Sequence, residues 1–186
     1  MSDSLMLSYR IATTLDCDLL VLFINSSYRG EIARHGWTNE NELVDGPRTN
    51  EIALNTILNN NDSIILMFLN ETDKMLIGCV HLQFKSETKT TYVGMLAVHP
   101  NLQGKGYGKI ILSLAENYAI QKWNVDYIEM IVVLQRTELI DYYNRRGYID
   151  TGDRQPFPQS QFGLPKRNDL QFCTLRKSVK IDQEKQ

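Results

Sequence analysis

The stretch that decides the fold reads Val93-Gly-Met-Leu-Ala-Val-His-Pro-Asn-Leu-Gln-Gly-Lys-Gly-Tyr-Gly-Lys109. Its first residues are mostly apolar and predict a buried strand that ends at Val98. A short loop follows, and the pattern after it predicts a helix over 107–123. Glycine has no Cβ, so a backbone that contains it can turn sharply and approach a ligand closely. The stretch therefore predicts a strand, a tight turn and a helix with an accessible main chain between them.

The turn has the properties of an anion site. Glycines stand at alternate positions, as Gly104, Gly106 and Gly108. The first N–H groups of a helix have no partner within it, and the positive end of the helix dipole lies at the same place. Lys105 and Lys109 add positive charge. A phosphate or pyrophosphate is the ligand that such a turn favours.

The rest of the chain predicts one α/β domain, because runs of strand residues alternate with helical patterns. Besides 107–123, helices are predicted from about residue 19 and over 49–58 and 137–146. The segment 29–48 and the proline-containing segment 153–168 are predicted to be irregular or loop. Strands are predicted over 7–13, 63–69, 74–84, 91–98, 126–134, 148–152 and 169–177.

The glycine spacing distinguishes among the phosphate-binding motifs. It fits neither the G-x-G-x-x-G of dinucleotide folds nor the P-loop, which needs G-x-x-x-x-G-K followed by Ser or Thr. Gln103, Gly106 and Gly108 match Gln/Arg-x-x-Gly-x-Gly/Ala, so the stretch resembles that of the GNAT superfamily of acyl-CoA-dependent N-acetyltransferases. The lead-in Leu-Ala-Val-His-Pro is also common in that family.

A second stretch supports the same resemblance. Residues 136–148 are similar to the family's short helix that ends in Tyr-x-x-x-Gly-Phe/Tyr, with Tyr143 on its tyrosine and Gly147-Tyr148 at its end. Arg136 stands where many members have an asparagine, so the asparagine's role is not carried over. An arginine there can reach the coenzyme or an acidic group instead.

The resemblance implies a fold and a coenzyme site. The fold is α/β, with a mixed, mostly antiparallel sheet, splayed central parallel strands and flanking helices. A single domain over 1–178 is expected, followed by a loose charged tail at 179–186. Acetyl-CoA is expected as co-substrate between the fourth and fifth strands of this fold. The residues expected to contact it are Leu96, Ala97, Val98, Gln103, Gly104, Lys105, Gly106, Tyr107, Gly108, Lys109 and Arg136.

Direct transfer of acetyl to an amine sets the catalytic expectations. A backbone N–H near Leu96 or Ala97 is the expected donor to the oxyanion. Tyr143 is the candidate acid for the leaving thiolate, with a packed core aromatic as the alternative reading. Glu129 is the candidate base, because buried carboxylates are rare unless paired or functional; an ion-paired glutamate is its alternative. Tyr92 aligns with a glutamate base of some relatives, so deprotonation through water also stays open.

Two polar and aromatic segments, 26–49 and 153–167, have the makings of an acceptor pocket. Glu31, Trp37 and Arg48 are the candidate contacts. A cationic amine would need a carboxylate such as Glu31, whereas an amino-acid carboxylate would need Arg48 or Arg154. Because the segment 154–167 is long enough to close over the site, a small-molecule amine is favoured over a peptide.

Composition excludes other classes of function. The 186 residues carry a net charge of −2 and no long basic run, so nucleic acid is not expected as a partner. Three scattered cysteines predict free thiols, and no metal-ligand spacing appears, so no metal is expected. No signal-peptide pattern or membrane-length apolar run occurs, which predicts a cytoplasmic protein without membrane contact.

Three readings of the function remain at the level of sequence. The first is the acetyltransferase with a small-molecule acceptor. The second is a module that senses acetyl-CoA without turnover, which would need neither Tyr143 nor a base. The third is an enzyme that acetylates proteins or peptides. The sequence also leaves a homodimer open.

Overall fold

The computed structural model describes residues 7–34, 36–158 and 163–179. Its helices are α1 (Cys17–Tyr28), α2 (Gly30–Ala33), α3 (Glu51–Leu58), α4 (Tyr107–Trp123) and α5 (Thr137–Asn144). Its strands are β1 (Leu7–Ile11), β2 (Val44–Asp45), β3 (Ser63–Asn70), β4 (Leu76–Lys85), β5 (Thr90–Val98), β6 (Tyr127–Val133), β7 (Ile149–Pro156), β8 (Leu164–Pro165) and β9 (Gln171–Ser178).

The main sheet has seven strands in the order β1-β3-β4-β5-β6-β9-β7, and β5 and β6 form its parallel pair. The other neighbours in this sheet are antiparallel. The core around α4 covers one face, and the core around α1 and α3 covers the other. The predicted fold class, a mostly antiparallel mixed sheet with flanking helices, is confirmed.

A cleft opens between β5 and β6. These strands pair only where Thr90–Tyr92 faces Tyr127–Glu129, and beyond that point they diverge, as the sequence predicted. The register of β5 against β4 also shifts between Cys79 and His81, where Met95 adopts a φ of 46°. Such a bulge bends its strand. The C-terminal half of β5 therefore has a free edge along the cleft.

Helix α4 packs directly on the sheet because β4 has a glycine at the contact. A Cβ on Gly78 would lie 2.4 Å from Ile111 Cδ1 and 2.7 Å from Ala97 O. Ile111 and Ala115 of α4 are fully buried. This close approach holds the N-terminus of α4 next to the end of β5.

The C-terminal part of the chain corrects one prediction. The segment 153–168 was expected to be a loop, but β7 continues to Pro156, and Leu164–Pro165 pairs with Val44–Asp45. Gly152 has a φ of 86° at the register shift that divides β7. The prediction ended the strand at this glycine, but the strand continues beyond it. The predicted tail lies outside the described residues apart from Val179, as do residues 1–6 and 159–162. No helix among the described residues is long and apolar enough to cross a membrane.

Candidate active site

The glycine turn presents an open row of backbone donors. Gly104 and Gly106 have φ values of 76° and 89°, and a Cβ built on either would meet nothing within 4 Å. The N–H groups of Lys109 and Ile110 both donate to Gly106 O. Within 7–34, 36–158 and 163–179, no acceptor takes the N–H groups of residues 104–108. The turn therefore offers unsatisfied donors to a ligand, as expected for an anion site.

The side chain of Gln103 is engaged within the protein. Its Oε1 accepts the N–H of Trp37 and, at 3.4 Å, that of Thr38. Its Nε2 donates to Thr38 Oγ1 at 3.1 Å and to Val98 O at 3.0 Å. Gln103 thus fastens residues 36–38 to the end of β5, and its side chain positions the turn rather than facing a phosphate.

Two residues of β5 turn their backbone groups towards the cleft. His99 N–H donates to Ile77 O on β4 at 2.8 Å. Because backbone groups alternate along a strand, those of Val98 and Leu96 face the other way. Leu96 O accepts the hydroxyl of Tyr28 at 2.8 Å, and Val98 O accepts Gln103 as above. These two residues form the edge that an extended ligand can pair with.

Ala97 does not belong to that edge. It pairs with Cys79 of β4, and its side chain is fully buried in the core under α1. The expected coenzyme contact at Ala97 is therefore corrected, because its backbone faces β4. Of the two N–H groups considered for the oxyanion, that of Leu96 points into the cleft.

Two cavities meet in this cleft. The outer cavity, of about 440 Å³, runs from the glycine turn to α5, and its charged lining is Lys109, Arg136, Arg145 and Arg146, with no carboxylate among the described residues. The inner cavity, of about 70 Å³, lies between the diverging strands and the segment 28–48. The residues common to both cavities are Tyr28, Leu96, Arg136, Leu139 and Tyr143.

Tyr143 stands at this junction. The side chain is 7% exposed, and burial raises its pKa well above the ordinary value of a phenol. Its ring packs edge-on against Tyr142 and Tyr148, with centroids 5.2 and 5.7 Å away. The phenol is therefore protonated at neutral pH and can donate to a group in the cavity.

Arg136 connects the two sides of the junction. Its Nη2 donates to Trp37 O at 2.8 Å, and its Nε lies 2.5 Å from Glu138 Oε1. The residue is buried at the start of α5. The guanidinium thus lies against both cavities while it holds the segment around Trp37 in place.

The profile of the Acetyltransferase (GNAT) family matches residues 19–148, which include the glycine turn and α5. The chain belongs to this family. Structures of spermidine N-acetyltransferase from Vibrio cholerae have the same fold as this GNAT chain. A complex with CoA and spermine is 16% identical, covers 92% of this chain and 95% of its own, and has a TM-score of 0.66. A dodecameric structure is 15% identical, with 92% and 93% covered and a TM-score of 0.65. No curated protein matches the chain.

Glu129 of this GNAT chain is engaged in ion pairs. Its Oε1 lies 2.5 Å from Arg176 Nη2, and its Oε2 lies 3.6 Å from Lys85 Nζ. It belongs to the paired end of β5 and β6 and lines neither cavity. The structure therefore corrects the expectation of a catalytic base and gives Glu129 the ion-paired alternative.

The three candidate acceptor residues lie in different places in the GNAT fold. Glu31 has a side chain 80% exposed, pairs with Arg34 at 3.1 Å and lines neither cavity. Trp37 lines the outer cavity, where its ring lies 5.0 Å from that of Tyr142. Of the three, Arg48 alone lines the inner cavity. Glu31 therefore lies outside both cavities, and Trp37 lines the outer cavity rather than the inner one.

The sequence missed several residues of the inner cavity. Tyr28, Arg29 and Glu40 lie within the segment 26–49 that the sequence singled out, but nothing in their spacing marked them. Phe157 and Phe172 come from the other end of the chain and pack 5.0 Å apart. These residues come from α1, from the segment after it and from the C-terminal part of the chain, and they converge only after folding. A local sequence pattern could therefore not identify them.

The remaining coenzyme candidates fall at the turn. Gly104, Gly106, Gly108 and Lys109 line the outer cavity, whereas Lys105 is exposed beside it. Tyr107 packs against the core under α4. The described residues contain no group of three or more His, Cys, Asp or Glu side chains that could hold a metal ion.

Proposed function

We propose that the protein transfers the acetyl group of acetyl-CoA to a primary amine of a small molecule, by direct attack in a ternary complex. The observation that carries this proposal is the shared wall of the two cavities, at Leu96 and Tyr143. A coenzyme in the outer cavity and an amine in the inner one would meet there. Holding both reactants in contact replaces a bimolecular encounter by an intramolecular step.

The outer cavity fits coenzyme A. The pyrophosphate of the coenzyme would accept hydrogen bonds from the N–H groups of residues 104–108, where the glycines leave the approach open. The four cations of the lining favour the phosphate groups. The amides of the pantetheine arm would pair with the cleft-facing groups of Leu96 and Val98.

Two groups of the chain serve the reaction at the junction. When bound, the thioester supplies the acetyl group. The N–H of Leu96 would donate to the carbonyl oxygen as negative charge develops on it. The hydroxyl of Tyr143 would give its proton to the leaving sulfur, which leaves more readily as a thiol than as a thiolate.

The amine loses its proton to water in this proposal. Glu129 is held by Arg176 and Lys85, and Tyr92 cannot act as a carboxylate base. The inner cavity has one carboxylate among its described lining residues, Glu40, whose Oε2 lies 2.6 Å from Arg29 Nη2. Water in the cavity is then the group that remains to accept the proton of the amine.

A small acceptor is supported by the size of the inner cavity. A volume of about 70 Å³ has room for roughly five water-sized groups. A peptide backbone would need an open groove on this side. The solved complex of the Vibrio cholerae enzyme with CoA and spermine also concerns a small amine.

The test is a Tyr143→Phe variant assayed for release of CoA over a panel of amines. We expect kcat to fall about a hundredfold, the usual scale of a lost general acid. Calorimetry should give an unchanged Kd for acetyl-CoA, because the phenylalanine ring still packs against Tyr142 and Tyr148. Tyr118→Phe, which removes a hydroxyl on α4 away from both cavities, should keep full turnover.

The same assay separates the competing function. A module that only senses acetyl-CoA would bind the coenzyme and acetylate no amine of the panel. An equal kcat in Tyr143→Phe and the unmodified protein would remove Tyr143 from the reaction but leave the transfer itself in place.

A further inference from the structure

The inner cavity is lined mainly by positive charges, whereas a polyamine would need negative ones. Its described lining contains three arginines, Arg29, Arg48 and Arg136, against the single carboxylate of Glu40. A polyamine keeps a second positive charge after one amine has reacted. That charge would lie among arginines, and like charges at short range repel strongly where water is scarce.

Glu40 is not available to balance such a charge. Arg29 donates to its Oε2 through Nη2 at 2.6 Å and through Nε at 3.2 Å. Both side chains are largely buried, and Arg29 Nη1 also donates to Gly46 O at 3.1 Å. Two charge-assisted hydrogen bonds to one carboxylate oxygen hold Glu40 against Arg29. The carboxylate therefore serves to hold the segment 29–46 in place.

Arg48 lines the inner cavity beside two of its tyrosines. Its Cζ lies 5.6 Å from the centre of the Tyr28 ring, and the hydroxyl of the same ring bonds to Leu96 O. Burial raises the pKa of Tyr28 and of Tyr92, and in both cases the positive charge of Arg48 opposes the rise. Arg48 thus faces two of the tyrosines that line the cavity, across the Tyr28 ring from Leu96.

The other polar residues considered for the acceptor lie elsewhere. Arg154 pairs with Asp150 at 2.7 Å on β7 and lines neither cavity. Glu31 pairs with Arg34 on the surface. Of the residues that the sequence named for an ammonium or a carboxylate of the acceptor, Glu31, Arg48 and Arg154, Arg48 alone lines the inner cavity.

We infer that the acceptor is a short amino acid, whose carboxylate binds Arg48 while its amine reaches Leu96 and Tyr143. The inference rests on the proposed acetyl transfer and names its substrate class. An arginine fork matches the two oxygens of a carboxylate, and a few heavy atoms suffice to fill the cavity.

The experiment compares matched amines. Each amino acid is assayed beside the amine that lacks only its carboxylate: glycine beside methylamine, β-alanine beside ethylamine, and γ-aminobutyrate beside propylamine. Spermidine is the polyamine of the panel. We expect kcat/KM for the amino acid to exceed that of its partner by about tenfold to a hundredfold in at least one pair, as a charge-assisted contact allows.

Variants of Arg48 assign the effect. Arg48→Gln should reduce the ratio within that pair to about threefold or less, mainly through a higher KM for the amino acid. Arg48→Lys keeps the charge without the fork and should retain part of the ratio. Arg154→Gln is the matched control, and its ratio should equal that of the unmodified protein. The Kd for acetyl-CoA reports whether each variant is folded.

The outcomes that overturn the inference are distinct from those that overturn the proposed function. If amines are acetylated but the members of every pair react equally, or spermidine reacts best, the inference is wrong and acetyl transfer stands. If acetyl-CoA binds and no amine is acetylated, both are wrong. Should Arg48→Gln not fold, the pairs measured on the unmodified protein decide alone.

Discussion

Gly106 is a residue at which the glycine turn is sensitive to substitution. Its φ of 89° lies in the left-handed region, and it caps the start of α4. A side chain there costs about 1–2 kcal/mol of backbone strain. The new methyl group would also extend into the open space that the phosphates need.

We therefore expect Gly106→Ala to raise the Kd for acetyl-CoA at least tenfold, measured by calorimetry. Gly152→Ala provides the control, since Gly152 has a φ of 86° and equally open surroundings but lies on β7. It should lose similar stability and keep the Kd. An equal loss of affinity in both variants would show that strain alone is responsible.

His81 makes the stability of the fold depend on pH. Burial lowers the pKa of His81 to about 4, from the usual 6.5; its Nε2 lies 3.3 Å from Ser63 Oγ and its ring packs on Tyr92. Between these two values the unfolded chain binds the proton more readily than the folded one. Stability is therefore fully present above pH 6.5 and declines as the pH falls towards 4.

We expect this residue to reduce the free energy of unfolding by roughly 3 kcal/mol between pH 7 and pH 4, at about 1.4 kcal/mol per pKa unit. Urea unfolding at several pH values measures it. His81→Leu should flatten the dependence in this window. A dependence that survives the substitution would assign the effect to other groups.

At the scale of elements, the coenzyme turn and the segment 36–38 form one unit through Gln103. The side chain of this residue makes four hydrogen bonds, three to that segment and one to β5. Trp37 in turn covers the outer cavity beside Tyr142. Gln103 therefore holds this segment beside the outer cavity, together with Arg136, which donates to Trp37 O.

Gln103→Ala should free this segment. We expect the amide N–H groups of Trp37 and Thr38 to exchange with deuterium faster, by hydrogen-exchange mass spectrometry, and the KM for acetyl-CoA to rise several-fold. Asn101→Ala, in the turn just before Gln103, should change neither. Unaltered exchange in Gln103→Ala would mean that the other contacts, from Arg136 to Trp37 O and from Thr38 Oγ1 to Ser27 O, are enough to hold the segment.

Elements with a strong periodic signal were predictable, and polar ones were not. The strand and helix on either side of the glycine turn follow from apolar spacing, which burial imposes directly. β7 is exposed along its whole length, so no alternation marks it, and Gly152 interrupts it. β2 and β8 are two residues long and exist only because they pair with each other. Tertiary contact, rather than local preference, forms such elements.

At the scale of the whole molecule, the sheet consists of two blocks, β1-β3-β4-β5 and β6-β9-β7, joined by three residue pairs. The two cavities lie in the gap between them. Glu129 lies at the joined end, and the sequence allowed two interpretations of it, a catalytic base or an ion-paired residue. Only the completed sheet shows that Glu129 is ion-paired, because its partner Arg176 lies on β9, 47 residues away along the chain.

Coenzyme binding should therefore stabilise the molecule as a whole. At a free concentration of 100 times the Kd, a ligand specific for the folded state adds about 2.7 kcal/mol to the free energy of unfolding. We expect calorimetric scans with CoA to show this gain, and the amides of Leu96 and Val98 to exchange more slowly. A gain without protection in β5 would place the ligand elsewhere.

Apart from the five residues that line both, the two cavities draw on different parts of the chain. The outer cavity adds residues of the glycine turn, of α5 and of the segment 37–38, while the inner cavity adds residues of the segment 29–48, of β5 and β6, and Phe157 and Phe172. Substitutions in the second group can alter which amine is chosen and spare the machinery that handles the thioester. In this architecture, choice of acceptor is free to diverge among descendants of one gene while the chemistry they perform stays the same.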